Sequence, residues 1–348
     1  MPDKLADPPG PFDKAAADEK PFTAPATLLG GAMPFSRFLS PWRLVWLAGA
    51  TVGAATTGCA PETTVLLEAD SARAGALGDD GPLGALLSTR TIRVRGDRPL
   101  SVDIITGSDD DVTSHADGSP VLLVQGGNAA VARYHWLAAH LASRGATVVM
   151  PHYLADLAFF STTDGSDSLV ALRQLASRPD DALFGTVSDD PALAVGHSLG
   201  GVVAAGTFEA DPDVGALALL SSYPDPAATL SRTDGTVVSI VGADDGLVSL
   251  EQVQTGVEAF QTTAVGAVVE GLTHYQLTDD PSDAELEREG TVGGDIDVGR
   301  ARAAFLIDAI LPGGIGADVG VIATPAVWPA GLVSLEAAIA AAESGVTP

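Results

Sequence analysis

The fold is decided by residues 191–205, which read PALAVGHSLGGVVAA. The apolar run that ends at Val195 is typical of a buried strand, and the small residues after position 200 are typical of a closely packed helix. Between them, residues 196–200 form the motif G-x-S-x-G around Ser198. A serine on a sharp strand-to-helix turn leaves no room for side chains two positions away, which explains both glycines. The motif predicts a nucleophilic serine at a helix N-terminus, where negative charge is stabilised.

Short apolar runs alternate with amphipathic segments around this motif. Residues 91–95 and 100–106 alternate apolar and polar positions, as in a half-exposed antiparallel pair of strands. This alternation predicts an α/β fold with a mainly parallel central sheet and helices on both faces. We predict further strands at residues 121–124, 148–150, 192–195, 215–220, 237–241 and 267–269, and helices at residues 130–143, 168–176, 199–208, 250–260 and 298–311.

The same pattern predicts the domain organisation. Residues 89–311 form the α/β domain, after a leader and signal-peptide-like segment at residues 1–58 and a linker at residues 59–88. Residues 312–348 form a C-terminal tail with one helix candidate at residues 332–342. The connection at residues 222–236 is short, so we expect a minimal cap and an open site.

A second glycine-containing turn follows the strand predicted at residues 121–124. It reads QGGN at residues 125–128 and comes directly before a predicted helix. A loop in this place supplies one N–H group of an oxyanion hole, and the residue after the nucleophile supplies the other. We therefore predict Gly127 and Leu199 as the oxyanion-hole residues. A phosphate-binding loop would also be glycine-rich, but the Lys-Ser or Lys-Thr that ends such loops is absent here.

Candidates for the other members of a Ser-Asp-His triad follow Ser198 in the chain. Asp244 and Asp245 come after one predicted strand and Asp225 after the preceding one, although Asp and Gly are also common in ordinary turns. With the chain order Ser, Asp, His, His274 is the only histidine beyond these aspartates, and we predict it as the catalytic base. The other histidines are interpreted as structural or solvent-exposed: His115, His135, His140, His152 and His197.

Composition limits the classes of partner. Lys and Arg number 18 against 45 Asp and Glu, for a net charge of −27. This charge argues against nucleic acid or anionic lipid as an electrostatic partner. The single cysteine, Cys59, excludes an internal disulfide and a metal site made of several cysteines. We expect a small-molecule substrate, no cofactor and no metal.

The segment before Cys59 has the plan of a secretory signal peptide. Arg37 and Arg43 precede an apolar run at residues 44–58 that ends in small residues. The run is shorter than the roughly 20 residues that span a bilayer, so a transmembrane helix is not expected. The segment resembles a bacterial lipoprotein signal with Cys59 as the lipidated residue, although Thr56 stands where leucine is usual. We expect an exported, lipid-anchored protein of the cell envelope, periplasmic or at the cell surface; the alternative is a disordered leader before a buried helix.

These motifs together resemble the α/β-hydrolase superfamily, in particular a bacterial branch of predicted serine esterases. The family spacing Gly242-x-x-Asp245 favours Asp245 as the triad acid. Two positions depart from the family pattern, since Gln125 replaces a histidine before the oxyanion glycine and Tyr275 replaces a small residue after the catalytic histidine. The resemblance extends from about residue 121 to about residue 311 and rests on residues 125–128, 136–138, 157–158, 196–201, 221–224, 242–246 and 274–276.

The predicted reaction is the hydrolysis of a carboxylic ester. His274 takes the proton of Ser198 while Ser198 attacks the ester carbonyl, and water then releases the acyl-enzyme. Two alternatives stay open: an acyltransferase with the same triad, and a non-catalytic lipid-anchored binding protein with an inert triad. Substrate specificity is expected in loops such as residues 154–164, where Phe159 and Phe160 either line a pocket or pack.

Overall fold

The computed structural model describes residues 63–67, 84–108, 118–153, 163–290, 293–314 and 317–345. The predicted leader, Cys59 and the larger part of the loop at residues 154–164 lie outside these residues. The described strands form one sheet in the order β1-β2-β3-β5-β4-β6-β7-β8-β9-β10. Their bounds are β1 Thr63–Leu67, β2 Gly84–Val94, β3 Arg98–Ser108, β4 Ser119–Val124, β5 Ala146–Pro151, β6 Ala192–His197, β7 Val214–Leu220, β8 Thr236–Gly242, β9 Thr263–Val269 and β10 Leu332–Ser334.

The centre of the sheet is parallel. β4 pairs with β5 on one side and β6 on the other, and parallel pairing continues through β7 and β8 to β9. β1, β2 and β3 extend the sheet antiparallel beyond β5, and β10 pairs antiparallel with β9. β4, β5 and β6 are buried along their whole length, as expected for apolar strands covered on both faces.

Helices cover both faces of this sheet. Apolar residues of α1 and α6 pack on one face, and those of α2 and α3 pack on the other. α4 and α8 pack together against β8 and β9. The predicted α/β-hydrolase fold class is thereby confirmed. The helices are α1 His135–Ser143, α2 Asp164–Ala176, α3 Leu199–Ala210, α4 Leu250–Glu258, α5 Asp283–Glu289, α6 Ile296–Ile310, α7 Val319–Ile322 and α8 Leu335–Glu343.

The structure differs from the predicted organisation at both ends of the domain. β1 and the first residues of β2 lie inside the predicted linker, because β2 pairs with β3 from Gly84 opposite Ser108 onward. The predicted helix at residues 332–342 divides into β10 and α8. Residues 332–334 are extended because they pair with the edge of β9, and the Ser334 side chain then caps α8 by accepting the Ala337 N–H at 3.3 Å.

The connection between β7 and β8 contains no helix, in agreement with the expected minimal cap. No helix in the described part of the chain is long and apolar enough to cross a membrane.

Candidate active site

Ser198 occupies a strained turn between β6 and α3. Its φ of 52° and ψ of −125° lie in a region that non-glycine residues rarely adopt. The flanking glycines are required by close backbone contacts, since a Cβ at Gly196 would meet the backbone of Gly200 and one at Gly200 would meet the carbonyl of Gln125. This agrees with the geometry that the G-x-S-x-G spacing predicts.

The turn is held by groups on the neighbouring strand. The Ser198 N–H donates to the Leu220 carbonyl at 2.9 Å, and the Ser222 hydroxyl donates to the Ser198 carbonyl at 2.6 Å. A Cβ at Gly201 would collide with the Ser222 side chain, so this residue must be glycine. The sequence predicted no role for Ser222, because its hydrogen bond to Ser198 joins residues that are 24 positions apart in the chain.

Asp245 is the carboxylate that contacts His274. Its Oδ2 lies 3.0 Å from His274 Nδ1, and the two side chains are 0% and 3% exposed. Its Oδ1 accepts the N–H groups of Leu247 and Val248 at 2.9 and 2.8 Å. A carboxylate only accepts, so Nδ1 of His274 carries the proton and Nε2 is left able to accept one.

The competing aspartates differ in their surroundings. Asp225 is exposed, and its side chain accepts the N–H of Ala227 in its own loop at 2.9 Å. Asp244 is half-buried, and its backbone N–H donates to the Leu272 carbonyl at 3.1 Å. Among the three candidates, Asp245 is therefore the one whose side chain contacts His274. The catalytic role of Asp245 stays a prediction.

Asp245 is held in its ionised form. Burial alone would raise its pKa, but the hydrogen bond from His274, the charge interaction with His274 and the Val248 N–H together leave this pKa below its ordinary value. The site therefore has a buried carboxylate that can stabilise an imidazolium on His274.

A second carboxylate, Glu289, holds the backbone at His274. It is 5% exposed and accepts the His274 N–H and, at 3.2 Å, the Tyr275 N–H. Glu289 ends α5, a helix that the periodicity did not predict. Its signal was a capping box, in which the Ser282 hydroxyl accepts the Glu285 N–H at 3.4 Å and the Glu285 carboxylate accepts the Ser282 N–H at 2.7 Å.

The segment after His274 is tied to α6, to α1 and to the turn before α1 by side chains that donate to its carbonyls. These bonds hold the backbone that carries the His274 imidazole. They are Arg300 Nε to Gln276 at 2.8 Å, Trp136 Nε1 to Leu277 at 3.0 Å and Arg133 Nε to Asp279 at 2.7 Å.

The two predicted oxyanion-hole residues lie against each other. A Cβ at Gly127 would be 2.6 Å from Cδ1 of Leu199, so the loop after β4 contacts the start of α3. Leu199 is the first residue of α3, and its N–H therefore has no acceptor within the helix. Within the described residues, the Gly127 N–H also has no protein acceptor. Two backbone donors are thus available beside Ser198.

The remaining described histidines, apart from His197, bind carboxylates away from Ser198. His135 and His152 each lie 3.0 Å from the buried carboxylate of Asp103. His140 lies 3.0 Å from Asp308. No group of three or more His, Cys, Asp or Glu residues suited to a metal ion is present in the described ranges.

His197 differs from them because it lies within the motif, is 2% exposed and has its ring centroid 4.6 Å from that of His274. Burial and the neighbouring His274 lower the pKa of His197 well below its ordinary value. An unfolded histidine has a pKa of about 6.5, so below that pH the unfolded chain binds a proton that the folded chain does not.

The free energy of unfolding should therefore fall as the pH decreases from 7.5 to 5.5. The slope from this one group reaches at most about 1.4 kcal/mol per pH unit. Urea unfolding at both pH values should show a smaller decrease for His197→Asn than for the wild type. Equal decreases in the two proteins would contradict the assignment of a buried neutral His197.

Comparison with known proteins agrees with this geometry. Residues 120–280 match the model of the alpha/beta hydrolase family. No curated protein matches the chain significantly. The matched range contains β4 from its second residue, the strands β5 to β9, the turn at Ser198, and both Asp245 and His274. Residues 120–280 therefore have the α/β-hydrolase fold, and the match to this family supports a hydrolase.

Proposed function

We propose that the protein is a serine hydrolase that cleaves carboxylic esters, with Ser198 as nucleophile, His274 as base and Asp245 as acid. The observation that carries the proposal is the buried hydrogen bond of 3.0 Å between Asp245 and His274. It gives His274 the tautomer that a serine nucleophile needs, on a domain whose strained turn holds a half-buried Ser198.

The reaction proceeds in two acyl-transfer steps. Ser198 Oγ attacks the ester carbonyl and gives its proton to His274 Nε2, while the N–H groups of Gly127 and Leu199 bind the developing oxyanion. The bond to the alcohol then breaks, and His274 returns the proton to the leaving alkoxide. Water repeats the sequence on the acyl-enzyme, which releases the acid and restores Ser198.

The surface around Ser198 supports small or exposed ester substrates. Leu199 and Leu247 are 42% and 38% exposed, so apolar side chains flank both the nucleophile and the acid. The short connection between β7 and β8 adds no helix above them. A panel of p-nitrophenyl esters of increasing acyl length measures the preferred chain length.

Labelling by a fluorophosphonate probe tests the proposal directly. The probe forms a covalent bond with an activated serine, so we expect one residue to be labelled. Peptide mass spectrometry should identify the labelled residue as Ser198. Heat-denatured protein is the control, because labelling requires the assembled site. A folded protein that hydrolyses no ester and takes up no probe would contradict the proposal and favour the non-catalytic alternative.

We further propose that the protein is anchored to the cell envelope by a lipid on Cys59. The support is the signal-like segment at residues 37–59 and the chemistry of its single cysteine. One acyl chain binds membranes only marginally, so firm attachment needs the multiple chains of a lipoprotein.

Replacing Cys59 by alanine should move the protein from the membrane fraction to the soluble fraction of cells that express it. Ser198→Ala is the control, since this change leaves Cys59 in place and should leave fractionation unchanged. Membrane association that persists in Cys59→Ala would contradict the proposed anchor.

A further inference from the structure

The residue before the nucleophile is hydrogen-bonded to a tyrosine that also holds the oxyanion loop. The Tyr134 hydroxyl lies 2.8 Å from Nδ1 of His197 and 2.8 Å from the backbone nitrogen of Gly126. Tyr134 is 0% exposed and His197 is 2% exposed. One buried hydroxyl therefore joins the loop after β4 to the turn after β6.

The directions of these hydrogen bonds follow from which groups can donate. The Gly126 N–H only donates, so the hydroxyl oxygen accepts it and the hydroxyl proton is free for His197 Nδ1. Burial raises the pKa of Tyr134 and lowers that of His197, which keeps both groups neutral near pH 7. A neutral imidazole that accepts at Nδ1 carries its proton at Nε2.

The backbone at Gly126 is enclosed by this pair and by the nucleophile. A Cβ at Gly126 would lie 2.8 Å from Nδ1 of His197, 2.9 Å from the Tyr134 hydroxyl and 3.3 Å from Cβ of Ser198. The next residue, Gly127, supplies the N–H proposed for the oxyanion hole. Rotation of the backbone at Gly126 would move that donor relative to Ser198.

We propose that Tyr134 and His197 are positioning residues of the oxyanion hole, which fix the Gly127 N–H relative to Ser198 through Gly126. The inference rests on the proposed serine hydrolase function. The Tyr134 hydroxyl acts by holding one peptide group, and the His197 imidazole acts by orienting that hydroxyl. Oxyanion donors act when they lie about 2.7–3.1 Å from the position that the oxyanion will occupy, so a displaced Gly127 N–H stabilises it less.

Tyr134→Phe tests the role of the hydroxyl, with Tyr153→Phe as the matched control. Tyr153 is also a buried tyrosine, 7% exposed, and its hydroxyl has no hydrogen-bond partner among the described residues. Complete loss of one oxyanion donor lowers kcat by about 10²–10³-fold, so a displaced donor should lower kcat by about 10- to 100-fold. We expect that loss in Tyr134→Phe with an unchanged KM, and no loss in Tyr153→Phe.

The affinity for an alkylboronic acid separates a positioning role from a general loss of stability. The boronic acid forms a tetrahedral adduct with an active serine, and its negative oxygen occupies the oxyanion hole. Its affinity should fall by about the same factor as kcat in Tyr134→Phe. The melting temperatures of both variants are recorded alongside.

Two substitutions of His197 test the same bridge without changing Tyr134. The side-chain oxygen of asparagine can stand where Nδ1 accepts the Tyr134 proton, whereas leucine offers no acceptor. We expect His197→Asn to keep kcat within about 5-fold of the wild type and His197→Leu to match the loss in Tyr134→Phe. This pair decides the question if Tyr134→Phe does not fold.

The outcomes separate this inference from the proposed function. Wild-type protein that neither hydrolyses esters nor reacts with fluorophosphonate overturns both. An active wild type, with Tyr134→Phe that keeps its kcat and its boronic acid affinity, overturns the inference alone. Equal losses in Tyr134→Phe and Tyr153→Phe, or in His197→Asn and His197→Leu, also overturn it, because they indicate loss of packing rather than loss of the bridge.

Discussion

Replacement of Ser198 by alanine should lower kcat for ester hydrolysis by about 10⁶, the scale observed when a serine nucleophile is removed from a triad. The loss is large because alanine offers no oxygen for acyl transfer, so His274 and Asp245 are left without a partner. Hydrolysis of a p-nitrophenyl ester measures the rate, and thermal unfolding shows that the variant is folded. A variant that keeps a tenth of the wild-type kcat would show that another residue is the nucleophile.

Ser198→Gly is a matched variant that tests the strain at the same position. Glycine adopts positive φ without penalty, whereas a residue with a Cβ at φ 52° and ψ −125° is strained by about 1–3 kcal/mol. The greater freedom of glycine in the unfolded chain offsets about 1 kcal/mol of that gain. We expect Ser198→Gly to be as inactive as Ser198→Ala but more stable than it, by up to about 2 kcal/mol.

Replacement of Asp245 by asparagine should lower kcat by about 10⁴, equivalent to about 5.5 kcal/mol of transition-state stabilisation. The amide can donate to Nδ1 of His274, which favours the tautomer whose Nε2 is protonated and cannot accept the serine proton. It also removes the charge that stabilises the imidazolium. The geometry of the site should persist, so KM should change little.

Asp244→Asn and Asp225→Asn are the controls for this prediction. Both remove one negative charge, Asp244 after the same strand as Asp245 and Asp225 after the neighbouring strand β7, but neither side chain is the one bonded to His274. We expect both to keep kcat within about 3-fold of the wild type, as for most substitutions outside a site. A severe loss of kcat in Asp225→Asn, with near-normal rates in Asp245→Asn, would assign the role of catalytic acid to Asp225. The serine hydrolase proposal would still hold.

The sequence by itself determined the fold class and the position of the proposed nucleophile, because both depend on local patterns. Unbroken apolar runs identify strands that are buried on both faces, and β4, β5 and β6 are buried throughout. The two glycines around Ser198 are needed because the backbone there leaves no space for a Cβ, and the sequence motif records this requirement. Short strands carried a weaker signal: β10 has three residues, and it is a strand only because the edge of β9 lies beside it.

The tertiary structure alone decided which side chains meet. The resemblance favoured Asp245 over the adjacent Asp244 through its spacing from Gly242, but contact with His274 depends on the direction of the side chain after β8, and the structure places the Asp245 side chain against His274. The supporting contacts join residues far apart in the chain: 15 positions from His274 to Glu289 and 63 from Tyr134 to His197. A local pattern carries no information about such contacts, because the packing of helices and strands brings these residues together.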